Sequence, residues 1–191
     1  MRTDRSTAGW ILSLLACVAV CLLPASWLLS AFGMPCRSLI SDEGLRWLFH
    51  HLPGLATTPL TACTLIYAMA AGALQFCIRI HRQGTQPFAL LTTLAAALLL
   101  FSLLGLATLV PQSPLLGITG GLWPSPLMHG LPFVCGLSLL ALSLVYAATA
   151  GRLATPRQFA RWLTLGIHRH AAWIVASMLI SFIHGILHYM L

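Results

Sequence analysis

Five long runs of apolar residues are separated by short segments that hold nearly all of the charged residues. A hydrocarbon core about 30 Å thick needs roughly 20 apolar helical residues, so each run is long enough to cross a bilayer. The strands of a membrane barrel would alternate polar and apolar positions, whereas residues 98–101 are apolar throughout. The pattern predicts five membrane helices, at about residues 10–32, 57–78, 88–110, 127–149 and 171–191.

Two shorter amphipathic segments lie between these runs. The first opens at Ser41, which is suited to cap a helix with two acidic residues in its first turn, and it is expected to stop at Pro53-Gly54. The second follows Thr155-Pro156, a capping residue before a proline at the first helical position. Both helices are predicted to lie along a membrane surface. The predicted fold class is an all-α integral membrane protein, a single membrane domain of five transmembrane and two interfacial helices.

Composition and charge agree with a membrane environment. Hydrophobic residues make up 59% of the chain and charged residues 7%, whereas a soluble domain has roughly a quarter charged residues. All ten basic residues are arginine, and all but Arg37 and Arg46 share one side if the N-terminus is cytoplasmic. Because cationic residues favour cytoplasmic loops, we predict a multi-pass protein of the bacterial inner membrane with its N-terminus inside and its C-terminus outside.

The net charge of +7 is distributed over short loops. Arginines scattered in this way are typical of contact with anionic lipid headgroups, while a nucleic-acid footprint would gather them on one face. The predicted partner is therefore the lipid bilayer, and no nucleic acid is expected.

The first apolar run also has features of a signal peptide, since it follows Arg2 and Arg5 and contains the small residues of a cleavage site near Pro24. Signal-peptide cores usually have about 7–15 apolar residues, and this run is longer. A retained anchor is expected; cleavage would leave four spans.

The chain has only three carboxylates, Asp4, Asp42 and Glu43, and none falls inside a predicted span. Proton- or sodium-coupled transporters usually place Asp or Glu within the membrane, so the chain alone lacks the commonest coupling group. Cys17 and Cys21, four residues apart, would suit a soft metal, although free cysteines more often act as small hydrophobic residues. We predict no enzyme activity, no disulfide framework and no bound metal or other cofactor.

Histidines support an alternative from another class of protein. His81 and His168 are predicted near the inner face, and His129 and His184 near the outer face, as in membrane b-type cytochromes that hold two haems between helices. His184 and His188 also lie four residues apart, as in a metal site. The competing interpretation is that histidines at helix ends contact water or headgroups.

A third hypothesis is a non-catalytic membrane partner or assembly subunit, with another membrane protein or a second copy as its companion. Small residues cluster in 68–73 and 95–97, and such clusters allow helices to approach closely. They would serve packing within one chain equally well, which is the expected use.

Residues 38–47, Ser-Leu-Ile-Ser-Asp-Glu-Gly-Leu-Arg-Trp, resemble the S-L-L-S-x-E-G-L-R-W stretch of the AbgT family of p-aminobenzoyl-glutamate transporters. A second part of the chain is similar to the middle of that family, where S-P-L/F leads into an apolar helix ending in Y-G, a basic segment and a helix opening with aromatic-Ile-Val. The corresponding residues are Ser125-Pro126-Leu127, Tyr146-Ala147, Gly151-Arg152, Thr155 and Trp173-Ile174-Val175. The resemblance implies a helical membrane transporter of aromatic amino-acyl conjugates.

The departures from the family are as informative as the match. The family's hairpin tip after Gly-Leu-Arg-Trp is replaced by residues 53–59, and the sequence reaches Leu191 where the family continues into a second hairpin. The resemblance therefore implies a shortened transporter without the transport core, which acts as a scaffold or remnant, and it carries over no substrate-binding residue.

Overall fold

The computed structural model describes residues 2–34, 36–84, 86–109, 126–153 and 155–191, with side chains from Thr7 onward except at 107, 109, 126, 127 and 129. The helices are α1 (Arg2–Ala31), α2 (Asp42–Ala56), α3 (Pro59–Gln83), α4 (Pro87–Leu109), α5 (Pro126–Thr149) and α6 (Pro156–Met190).

The described residues contain no strand, and five helical segments are long and apolar enough to cross a membrane. One of these segments combines α2 and α3 over Asp42–Gln83. The all-α membrane fold class is confirmed.

Local chemistry explains where the helices begin and end. Proline occupies the first position of α3, α4, α5 and α6, where its missing N–H is not needed and its fixed φ already suits a helix. Gly33 (φ 78°) and Gly151 (φ 69°) follow the last turns of α1 and α5. At both glycines the next amide donates to the carbonyl five positions earlier in the chain, from Met34 to Leu29 and from Arg152 to Ala147, which is the Schellman arrangement.

One predicted helix boundary is wrong, and another coincides with a kink. The helix opening at Asp42 does not stop at Pro53-Gly54; it continues to Ala56, because the Thr57 amide donates to the Pro53 carbonyl at 3.1 Å. The helix predicted after Pro156 and the last predicted span are two helices that meet within α6 at a kink at His170 (φ −106°, ψ 16°), next to the predicted start of the span at residue 171. No proline or glycine stands at that point.

The chain forms two compact units. The first unit comprises residues 1–64 and 170–191, and the second comprises residues 65–169. Leu39, Ile186 and Met190 form a buried cluster in the first unit. In the second unit, the buried cluster consists of Cys77, Ile80, Ala89, Tyr146 and Ala147.

Hydroxyl pairs join the start of α3, and Thr58 just before it, to α6 within the first unit. Thr58 lies 2.7 Å from Ser181 and Thr64 lies 2.8 Å from Ser177, measured between side-chain oxygens. Between apolar helices such bonds replace the hydrophobic driving force that lipid does not supply, and each contributes about 0.6 kcal/mol.

Small residues have a similar role in the second unit. Gly72 of α3 lies against Gly166 of α6 so closely that a Cβ on either glycine would enter the backbone of the other helix. Ala68 and Ala73 are buried on the same stretch of α3. The small-residue cluster at 68–73 thus packs within the chain.

Candidate functional site

The segment that resembles the transporter family, residues 38–47, forms a tightly packed turn in the first unit. Ser41 caps α2 by accepting from the Gly44 amide at 3.1 Å, and Leu39 is fully buried. A Cβ at Gly44 would lie 2.7 Å from both the Cα and the carbonyl oxygen of Leu39. Only glycine fits at that position, so Gly44 has a packing role.

The same turn is tied to α1 through Ser26. The Ser26 hydroxyl is completely buried, donates to the Leu23 carbonyl at 2.7 Å and accepts from the Leu39 amide at 3.1 Å. Pro24 stands inside α1 just before this contact.

The turn is also held by the end of α6. The Arg37 amide donates to the Met190 carbonyl at 3.2 Å. Trp47 stacks on Tyr189 with ring centroids 4.2 Å apart, and the Arg37 guanidinium lies 6.0 Å from the Tyr189 centroid. These contacts give the segment an architectural role in the first unit.

Replacing Ser26 with alanine is expected to destabilise the protein by about 1–3 kcal/mol, because the buried Leu39 amide would lose its acceptor. Thermal unfolding in detergent micelles measures the change. Ser13→Ala is the matched control, since Ser13 is an exposed serine of α1 that bonds only within its helix, to the Trp10 carbonyl; it should change stability by less than about 0.5 kcal/mol. Equal effects of the two substitutions would contradict the role assigned to Ser26.

The second candidate is a cavity of about 410 Å³ in the second unit, formed by α3, α4 and α5 and here called the α3–α4–α5 cavity. Its volume is at the lower end of the range for small-molecule sites. Leucines, an isoleucine and a cysteine cover most of its wall, and polar groups lie at the end near the last turn of α3. The lining residues are Leu74, Cys77, Ile78, His81, Arg82, Leu90, Thr93, Leu139, Leu142, Ser143 and Tyr146.

Most polar groups in the cavity wall are already hydrogen-bonded within the protein. Thr93 donates to the Ala89 carbonyl at 2.6 Å, and Ser143 donates to the Leu140 carbonyl at 2.8 Å. The Cys77 thiol donates to the Ser143 carbonyl across the two helices at 3.3 Å. The wall therefore presents hydrocarbon to an occupant, although it contains several hydroxyl groups.

His81 and Arg82 give the cavity its charged end. His81 Nδ1 lies 3.3 Å from the Tyr146 hydroxyl, with the donor set by the imidazole tautomer. Arg82 is exposed, and no carboxylate partner is found for it among the described residues. Nearby, Arg152 donates to the Gln83 side chain at 3.4 Å.

The histidines of the haem hypothesis have different surroundings. His81 bonds Tyr146, while His168 lies exposed on the part of α6 that belongs to the second unit. His184 lies exposed in the first unit, and the side chain of His129 is outside the described residues. The haem alternative thus stays a prediction from the sequence.

The residues that could bind a metal ion lie on exposed parts of α1 and α6. His184 and His188 are both exposed on α6, and the Cys17 and Cys21 sulfurs lie 3.9 Å apart on the exposed face of α1. Within the part of the chain that is described, no group of three or more His, Cys, Asp or Glu residues is placed to hold a metal ion.

Sequence reasoning did not single out Arg82, Ser143 or the α3–α4–α5 cavity. In the sequence, Arg82 indicates topology only, although its position in the last turn of a helix next to an apolar run is a signal for a charged end of a cavity.

Comparisons with protein-family models, curated proteins and solved structures give no match.

Proposed function

We propose that this protein is an AbgT-like membrane protein that serves as a helical scaffold in the transport of aromatic amino-acyl conjugates such as p-aminobenzoyl-glutamate, without carrying them alone. The observation behind the proposal is the packing of residues 38–47. That segment carries the clearest resemblance to the transporters, and its contacts hold α1, α2 and the end of α6 together.

The second part of the resemblance is also architectural. Tyr146 is buried in the core of the second unit, and Gly151 closes α5 with its positive φ. Trp173 is 65% exposed on α6. These residues pack, cap or face outward, as expected for a scaffold.

The distribution of carboxylates also supports a scaffold role. Helices α3 to α6 contain no Asp or Glu, and Asp42 and Glu43 are exposed in the first turn of α2. Coupling of transport to an ion gradient usually uses an acidic residue inside the membrane. A chain without one is better suited to support a transport site than to form it.

Exposed apolar surface supports membrane insertion and leaves room for a companion. Trp10 and Leu14 on α1, and Leu91 and Leu98 on α4, each expose 64–75% of their surface. Such faces need hydrocarbon or another apolar helix against them. The proposal places them in the bacterial inner membrane with the N-terminus inside, because the arginines then lie mainly in cytoplasmic segments.

Uptake of radiolabelled p-aminobenzoyl-glutamate by sealed vesicles tests the scaffold proposal. Vesicles containing only the purified protein, with an inward sodium gradient, are expected to take up no more than empty vesicles. Native mass spectrometry of gently extracted membranes should show the 20.6 kDa chain in a complex of defined stoichiometry with itself or another membrane protein.

Two outcomes would contradict the proposal. Sodium-dependent uptake clearly above that of empty vesicles would show an independent carrier. A monomer alone at every extraction condition, with no uptake, would remove the scaffold function.

A further inference from the structure

We propose that the α3–α4–α5 cavity binds one anionic phospholipid, with an acyl chain along its apolar wall and the headgroup phosphate at Arg82 and His81. This inference stands independently of the scaffold proposal. It rests on the form of the cavity, the unbalanced charge of the second unit and the exposure of the cavity's rim.

The cavity has an apolar wall and a charged end, which correspond to the acyl chain and the headgroup of a phospholipid. Leu74, Ile78 and Leu139 provide an apolar surface, and the hydroxyls beside them are bonded to the helix backbone. The hydroxyl protons of this part are already donated within the protein, so burying a polar group against its mainly apolar wall would cost desolvation energy, whereas a hydrocarbon chain would not incur that cost. The polar part of the occupant belongs at the other end, beside His81 and Arg82.

The second unit has an unbalanced positive charge. Residues 65–169 contain no Asp or Glu, while they contain Arg79, Arg82, Arg152, Arg157, Arg161 and Arg169. No arginine in this unit can form an ion pair within the unit, so its counter-anion must come from outside. At a membrane surface, the abundant anions are lipid headgroups.

Arg82 is the arginine of this group that lines the cavity. It lies in the last turn of α3, where the helix dipole favours cations and gives no help to an anion. A phosphate would therefore be held by side chains, with the guanidinium donating two parallel bonds. His81, fixed by Tyr146, adds a second donor when its Nε2 carries a proton.

The rim of the cavity indicates a ligand that enters from the bilayer. Leu74, Ile78 and Leu90 line the cavity and remain 45–47% exposed, so its apolar side is open along the helix surfaces. A soluble anion would gain nothing from that open hydrocarbon wall. An acyl chain would extend through it into the surrounding lipid.

Native mass spectrometry with defined lipids tests the site. Purified protein in detergent is mixed with equal amounts of phosphatidylglycerol and phosphatidylcholine that have the same acyl chains. The wild-type protein is expected to retain one phosphatidylglycerol about tenfold more strongly than phosphatidylcholine, as expected for a charge-assisted hydrogen bond. Arg82→Gln should remove most of this preference.

Arg157→Gln is the matched control, because it removes one exposed arginine of the same unit that does not line the cavity. It should keep the preference for phosphatidylglycerol. Equal losses in the two variants would show diffuse surface charge and overturn the site, as would equal retention of both lipids by the wild-type protein. Thermal unfolding of each variant confirms that it is folded.

A second experiment tests whether an acyl chain lies along the apolar wall of the cavity. Leu139→Trp should fill the apolar wall and lower phosphatidylglycerol retention about tenfold, whereas Leu131→Trp, on the same helix but not lining the cavity, should not. Glycerol phosphate without acyl chains should compete poorly with the lipid. Strong competition by it, or no effect of Leu139→Trp, would overturn the lipid assignment.

Discussion

Replacing Gly166 with alanine is expected to destabilise the protein by about 2–3 kcal/mol, as overpacking of a close contact does. The added Cβ would meet the backbone carbonyl of Ala68 and lie 3.0 Å from the Cα of Met69. Backbone atoms cannot rotate away as a flexible side chain can, so α3 and α6 would have to separate within the second unit. Thermal or SDS-induced unfolding in micelles measures the loss.

Gly105→Ala is the control for this prediction. Gly105 lies inside α4, and nothing stands within 4 Å of a Cβ built there. Alanine has the higher helix propensity by about 1 kcal/mol, so this variant should be as stable as the wild-type protein or more stable. If Gly166→Ala behaved in the same way, the close crossing at Gly72 and Gly166 would be refuted.

Gly44→Ala is expected to have a comparable effect in the first unit, a loss of about 2–3 kcal/mol. Its Cβ would lie 2.7 Å from the Leu39 Cα and would meet the Ser38 carbonyl. The turn would have to open, and the Ser41 cap and the buried Leu39 would be displaced with it. The same unfolding measurement applies.

Gly54 provides a control on the same helix. It lies within α2, and a Cβ there would have open space. Helix propensity alone predicts that alanine stabilises α2 at both positions by about 1 kcal/mol, whereas packing predicts opposite signs. Two stabilised variants would show that residues 38–47 are not the tightly packed turn described above.

Much of the helical pattern could be predicted because it depends on neighbours in the sequence. The spans predicted at 88–110 and 127–149 agree within one residue with Pro87–Leu109 and Pro126–Thr149. Proline at a first position and a serine cap act within a few residues, and they lie where the structure uses them.

The wrong boundary came from a place where local signals conflicted. At Pro53-Gly54 two helix-breaking residues predicted an end, yet Leu55 continues the helix and packs against the position of Gly185 on α6. At His170 no breaker marks the kink, and the boundary between the two units falls there along the chain. A contact between distant residues therefore accompanies the continuation of α2 to Ala56.

The candidate site was less predictable than the helices. His81 was considered for its position relative to other histidines, but its hydrogen-bond partner is Tyr146, 65 residues away. Helix α4 is apolar on all sides, so its sequence does not show which face packs on α5 and which faces lipid. A cavity bounded partly by α4 could not be located from such a pattern.

The membrane environment and the number of segments able to span it follow from the sequence alone, because both depend on the length and hydropathy of each segment. Tertiary contacts were needed to show that Gly44 and Gly166 are sites of close packing, that Ser26 bonds the Leu39 amide, and that a cavity ends at Arg82. In hydrocarbon, all apolar faces of a helix are nearly equivalent, so association depends on close steric fit and a few hydrogen bonds. Those interactions join residues far apart in the chain, and hydropathy does not encode them.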